Sequence, residues 1–173
     1  ILLLIPILLI AIFVKVTSRG EVIYWSERIG RGNKIFKMPK FRTMKSNTPA
    51  VASHLMKNPD EFISPIGRFL RRTSLDELPQ LYSVIKGQMS LVGPRPALFN
   101  QNDLVSLRNE KGLDKLLPGV TGWAQINQPF DTTVKDVHQK LKYDFYYIEN
   151  LSFKLDLHIT FRTIWVVLWG HKG

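Results

Sequence analysis

Cysteine is absent from this chain, so disulfides and thiolate-held metal sites are excluded at once, a composition that suits a reducing compartment. No G-x-x-x-x-G-K-[ST] loop is present either, which argues against a P-loop nucleotidase. There is no internal repeat and no low-complexity tract. Negative charge is scarce: 14 Asp and Glu against 24 Lys and Arg leave a formal charge of +10. An imbalance of that size points to an anionic partner, whether nucleic acid, lipid headgroups or a phosphorylated substrate. The uncharged run at residues 1–14 falls short of the roughly 20 apolar residues that a helix needs to cross a bilayer. What remains is 173 residues, enough for one domain with a real core and too few to argue for two.

The positive charge is unevenly placed. The run "ILLLIPILLIAIFV" carries none, and the following stretch from Lys15 to Lys45 holds nine Lys and Arg against Glu21 and Glu27. Nucleic-acid binding needs no apolar neighbour, whereas the cytoplasmic surface of a membrane favours an apolar anchor followed by basic residues. A solvated basic face is the plain structural alternative. A cleaved signal peptide fits poorly, because no basic segment precedes the run and "KVTSRG" after it offers no small-x-small site. The first residue is not Met, and the hydrophobic segment is expected to begin upstream. Pro6 would kink a helix here. A kinked apolar helix suits a hairpin that enters one leaflet and returns as well as it suits a span.

Beyond this segment the pattern is mixed. "EVIYWSERI" and "KIFKMPKFRTM" are β-type runs separated by Gly30-Arg31-Gly32-Asn33, which predicts a hairpin with Pro39 on an edge. Residues 45–60 read as a loop around a short helix, and a helix is expected over 61–72 with its start delayed by Pro65. "LYSVIKG" continues as a helix stopped by Gly87, and "MSLVGPRP" is a short apolar run ending in a stiff turn. Residues 103–117 are expected to be helical, "GVTGWAQIN" a strand or extended loop, and "QPFDTT" a turn. Val134, Val137, Leu141 and Ile148 have helical spacing, giving a helix over 133–149. In the last element Lys154, His158 and Arg162 form a narrow polar stripe on an apolar helix bearing Trp165 and Trp169. A helix lying in a membrane interface uses that pattern, and so does a buried core helix. The fold class is therefore a single α/β domain, mostly helical and pinned to a membrane.

The acidic pair in "SLDELPQL" is the chemical question. Ser74 followed three residues later by Glu77 matches a capping box, with Asp76 in the first turn where the helix dipole favours it. Pro79 resists this, because it would fall fifth in the helix, where an N–H is normally bonded. Alternatively the helix starts at Pro79 and the carboxylates lie in its lead-in. Arg68, Arg71 and Arg72 stand nearby in sequence, with Lys40, Arg42 and Arg95 elsewhere. Pro94 and Pro96 flank Arg95, so its guanidinium is presented from a stiff stem. Guanidinium forks suit phosphate oxygens, and adjacent carboxylates can provide a nucleophile and a Mg²⁺ ligand. Together they point to phosphoryl transfer, where positioning and charge neutralisation carry most of the catalysis.

The segments "ERIGRGNKIFKMPKFRTM", "RRTSLDELPQLYSVIKGQMSLVGPRP", "LPGVTGWAQIN" and "YDFYYIENLSFKLDLHI" resemble the bacterial sugar transferases, the small monotopic phosphoglycosyl transferases. The resemblance runs from about residue 15 to 165. It implies that Asp76 and Glu77 are the catalytic dyad. Asp76 would attack the sugar-proximal phosphate of a UDP-sugar, release UMP and hold a phosphosugar, and polyprenol (undecaprenyl) phosphate would then collect it. Glu77, with Asp76, would bind Mg²⁺. Pro94, Arg95 and Pro96 match the nucleotide and phosphate turn, and Lys40, Arg42 and Arg71 are the further phosphate contacts expected. The implied architecture is a re-entrant membrane helix at 1–14, containing Pro6, and a catalytic domain at 15–173. Interfacial amphipathic helices carrying Trp165 and Trp169 would hold it against inner-membrane lipids on the cytoplasmic face. Two positions depart from the family pattern: Ile5 precedes Pro6 where Ser is common, and Gln128-Pro129 follow "WAQIN" where Gly-Arg is common. A catalytically silent membrane scaffold of the same fold is the alternative, and nucleic acid is not an expected partner.

Overall fold

The computed structural model describes residues 4–18, 20–45, 48, 59–128 and 134–169. Helix α1, Leu4–Thr17, is apolar on every side. It therefore turns Val14 into a core while leaving Ile5, Leu8, Ile12, Phe13 and Val16 exposed. Pro6 stands in the opening turn of the described helix. α1 runs unbroken from Leu4 to Thr17, and the turn before Pro6, where the expected kink would form, lies outside the described residues. No helix among the described residues is long and apolar enough to cross a membrane.

Strands β1 (Ile23–Ile29) and β2 (Ile35–Phe41) form the expected hairpin, as a two-stranded sheet. Its tip is a tight turn at Arg31–Asn33, closed by the Gly30 N–H on the Lys34 carbonyl at 2.8 Å. A ribbon of two strands has only edges, which is where Pro39 is tolerated. Helix α2 spans Pro65–Arg72. Ser64 supplies its N-cap, the side-chain oxygen accepting from the Gly67 N–H at 3.1 Å, and Pro65 fills the first helical position as the sequence requires. Most of the expected loop at 45–60 lies outside the described residues.

Residues Leu75–Gln80 wind as a 3₁₀ turn and lead into α3, Leu81–Ile85, which ends ahead of Gly87. After β3 (Ser90–Val92) comes α4, Asn102–Glu110. This is shorter than the helix expected over 103–117. Gly112 adopts φ +74, a left-handed conformation that breaks the helix, and only a 3₁₀ turn at Leu113–Lys115 follows. β4 (Gly119–Thr121) runs parallel to β3, with Ser90 opposite Gly119 and Val92 opposite Thr121. "WAQIN", expected to be extended, is instead the short helix α5, Trp123–Asn127. The turn is closed by the Ile126 N–H on the Gly122 carbonyl at 3.2 Å and by the Gln128 N–H on the Ala124 carbonyl at 2.8 Å, and Ala124 and Ile126 are both buried. α6 (Val134–Glu149) and α7 (Phe153–Trp169) match the expected helices closely. The expected turn at "QPFDTT" lies largely outside the described residues.

The chain gathers into two compact units. The first, residues 1–25 and 39–80, is built on Val14, Phe41 and Leu70, with Ile7, Ile66 and Leu78 packed around them. The second, residues 26–38 and 81–173, has a core of Val92, Ile126, Tyr147 and Ile159 and a smaller cluster of Phe36, Met38 and Met89.

Candidate active site

In a 3₁₀ turn residues i and i+3 eclipse one another. Leu75 and Leu78 therefore share one edge of the Leu75–Gln80 turn, and both pack on the Val14–Phe41–Leu70 core. That fixes where the intervening acids go: Asp76 and Glu77 occupy the other two edges, about 120° apart. Asp76 is 7% exposed and Glu77 half-buried. The Ser74 capping box does not form. Ser74 has φ +54, outside the extended backbone of an N-cap residue, and the Glu77 N–H bonds back to the Ser74 carbonyl at 3.2 Å. The carboxylates thus stand in a lead-in to α3, and Pro79 sits inside a turn that tolerates it.

Lys40, Arg42 and Arg71 fall in the same unit as the acidic pair. Each is oriented by its own contact. The Lys40 ammonium stands 5.8 Å from the Tyr24 ring centre, within cation–π range. Arg42 Nε donates to the Glu21 carbonyl at 2.7 Å, and Arg71 Nε donates to Thr43 Oγ1 at 2.9 Å. Because both guanidinium groups are tethered through Nε, their planes are set before any ligand arrives.

Pro94, Arg95 and Pro96 belong to the second unit. Their stiffness goes beyond the two proline rings, since four successive carbonyls are occupied. Pro94 accepts from the Gly119 N–H at 3.0 Å, Arg95 from Arg108 Nη1 at 2.8 Å, Pro96 from Arg28 Nη1 at 3.2 Å and Ala97 from the Ile29 N–H at 3.0 Å. Arg28 and Arg108 were not singled out by sequence reasoning. Each lies 13 or more residues from the carbonyl it serves, so no local pattern signals it. A small cavity beside this turn is lined by Ile29, Pro94, Pro96 and Leu113 together with the polar Asn33, Arg108 and Asp114, and neither Asp76 nor Glu77 lines it.

In α7, Phe153, Leu157, Phe161, Ile164 and Leu168 form an exposed apolar arc. The rings of Trp165 and Trp169 stack at 4.5 Å and are also exposed. The opposite side of α7 is tied down by Ile159 in the core and by Thr163, which shares a 2.7 Å hydrogen bond with Thr121.

Adjacent carboxylates on a short turn have the chemistry of a divalent-cation ligand, and Lys40, Arg42 and Arg71, which fall in the same unit, have that of phosphate contacts. The chain matches the family described as bacterial sugar transferase over residues 1–170, and it belongs to that family. It is 35% identical over 162 residues to the UDP-N-acetylgalactosamine-undecaprenyl-phosphate N-acetylgalactosaminephosphotransferase of Aeromonas hydrophila, covering 92% of this chain and 38% of that protein. It is 40% identical over 169 residues to the UDP-glucose:undecaprenyl-phosphate glucose-1-phosphate transferase of Escherichia coli (strain K12), covering 94% and 36%. To the undecaprenyl-phosphate galactose phosphotransferase of Salmonella typhimurium it is 37% identical over 180 residues, covering 93% and 36%. The chain thus spans little more than a third of the length of these curated relatives.

Proposed function

We propose that this chain is the catalytic part of a phosphoglycosyl transferase that moves a sugar-1-phosphate from a UDP-sugar to undecaprenyl phosphate. The observation that carries the reading is the position of Asp76. It is a buried carboxylate beside Glu77, on a turn anchored by Leu75 and Leu78, in one unit with Lys40, Arg42 and Arg71. A nucleophile held on a short anchored turn keeps its oxygen in line without further ordering.

In the first step an Asp76 oxygen forms a bond to the sugar-proximal phosphorus, the bond to the UMP oxygen breaks, and UMP leaves. In the second a phosphate oxygen of the polyprenol carrier attacks that phosphorus, and the bond to Asp76 breaks. The product is a polyprenol diphosphosugar, and the carboxylate is regenerated. Lys40, Arg42 and Arg71 balance the phosphate charge, and Arg95 contributes a nucleotide phosphate contact. The acidic pair fits Mg²⁺, which takes one or two carboxylates and completes its shell from water and substrate phosphates. Glu77, with Asp76, would hold the ion, which when bound neutralises charge on the diphosphate. The exposed apolar arc of α7 and the apolar flank of α1 suit an enzyme working at the cytoplasmic surface of the inner membrane, with residues 1–14 entering one leaflet.

A screen of UDP-sugars with undecaprenyl phosphate, reading UMP release, tests the proposal. Mg²⁺-dependent UMP is expected from at least one donor, with labelled phosphosugar retained on the protein when the lipid is withheld. Asp76→Asn should abolish both signals, and label retained on that variant would remove Asp76 as nucleophile. Full vesicle binding with no UMP from any donor would favour a silent scaffold.

A further inference from the structure

Arg108, in the last turn of α4, makes two charge-assisted contacts in different directions. Nη1 donates to the Arg95 carbonyl at 2.8 Å, and Nη2 donates to Asp144 Oδ2 at 2.7 Å. The two side chains are 14% and 4% exposed. Asp144 projects from α6 on the same side as Leu141 and Tyr147, which are themselves buried at 4%. Two acceptors at two corners of a planar guanidinium fix its plane, which a lysine at the same place could not reproduce. Burying an ion pair is a poor way to gain stability, since apolar side chains of equal volume do as well or better. Of the four bonds that pin this turn, however, the one from Arg108 is the one that lands on the Arg95 carbonyl itself. With Pro94 and Pro96 fixing the backbone on either side, the orientation of the Arg95 peptide is the main freedom left to the stem of the Arg95 side chain.

We propose that Arg108 and Asp144 are positioning residues: together they form a strut that aims the Arg95 guanidinium at the phosphates of the nucleotide donor. This rests on the nucleotide role given to Arg95 under the proposed function. The strut never touches the ligand and acts only through the Arg95 backbone.

The test is a double-mutant cycle on the full chain in detergent, with UDP affinity by calorimetry as the first readout, KM and kcat for UMP release as the second and thermal midpoint as a control. Arg108→Lys and Asp144→Asn should each weaken UDP about tenfold, the worth of one hydrogen bond to a charged group. KM should rise by a similar factor, with kcat changed less than about twofold. In an Arg95→Ala background the same two substitutions should alter UDP affinity by less than about twofold, because the group they aim is gone. Losses that multiply in that background would overturn the strut and leave a merely structural pair. If Arg95→Ala alone leaves UDP affinity unchanged, the nucleotide role of Arg95 has failed, and that single variant shows it before the cycle is read. Asp144→Asn retains an oxygen acceptor for Arg108, so it keeps the test available should Arg108→Lys fold poorly.

Discussion

The Tyr147 hydroxyl donates to Asp156 Oδ1 at 2.8 Å, joining α6 to α7 from inside the second unit's core. Burial pushes the Tyr147 phenol well above its usual value, and the hydrogen bond to Asp156 and the charge of that carboxylate push it the same way. The folded state therefore favours the neutral phenol. An unfolded tyrosine ionises near pH 10, so this contribution is fully present below about pH 10 and is lost as pH rises beyond it. Tyr147→Phe should lower unfolding free energy by about 1–2 kcal/mol at pH 7, because Asp156 loses its donor. The gap between the two proteins in urea unfolding should narrow from pH 9 to pH 11, and a constant gap would contradict the coupling.

Close backbone approach yields a second prediction. A Cβ on Gly119 would collide with the Gly93 amide and with the Thr121 carbonyl, where the end of β3 meets β4. Neither obstacle is a flexible side chain that could swing away. Gly119→Ala should cost about 3 kcal/mol, the upper end for overpacking, and should disturb the bond from its N–H to the Pro94 carbonyl. Chemical denaturation gives the first effect and UDP affinity the second.

Ser64 carries two bonds with one hydroxyl: it caps α2 through Gly67 and donates to the Thr43 carbonyl at 3.2 Å. Ser64→Ala should therefore destabilise the protein by about 1–2 kcal/mol. Ser64→Asp restores only an acceptor for the cap and should recover part of that loss. Thermal unfolding of the three proteins checks the order.

Phe161 is 69% exposed at the centre of the apolar arc of α7. Phe161→Glu should leave the thermal midpoint nearly unchanged, since the ring buries little in the protein. Partitioning onto phosphatidylglycerol vesicles should fall at least tenfold, given about 1.5–3 kcal/mol for a fully buried aromatic side chain. Sedimentation of vesicles with the two proteins measures it, and equal binding would remove α7 from the membrane-facing surface.

Elements whose signals close within a few residues were legible in the chain itself. Gly30-Arg31-Gly32-Asn33 between two β-rich runs announced the hairpin, and Pro65 announced that the helix expected over 61–72 would start late. The spacing of Val134, Leu141 and Ile148 announced α6. The motifs "SLDELPQL" and "VGPRP" were enough to name the family before any geometry was known, and the match over residues 1–170 agrees. "WAQIN" folds differently from the expected extended form because a five-residue element has too little length for its period to separate helix from strand.

Sequence alone thus determined the local elements, the basic balance and the family, because turn chemistry, capping and apolar period act over a few residues. Only the tertiary structure decided that Ser74 would leave its capping role, since Leu75 and Leu78 had to share one edge against Leu70. It also decided that Gly93 and Gly119 would pack without room for a methyl group, and that Arg108 would bond both Arg95, 13 residues before it, and Asp144, 36 residues after it. Such contacts join groups far apart in sequence. They arise where packed elements bring backbones and side chains within bonding distance, and no short-range pattern encodes that distance.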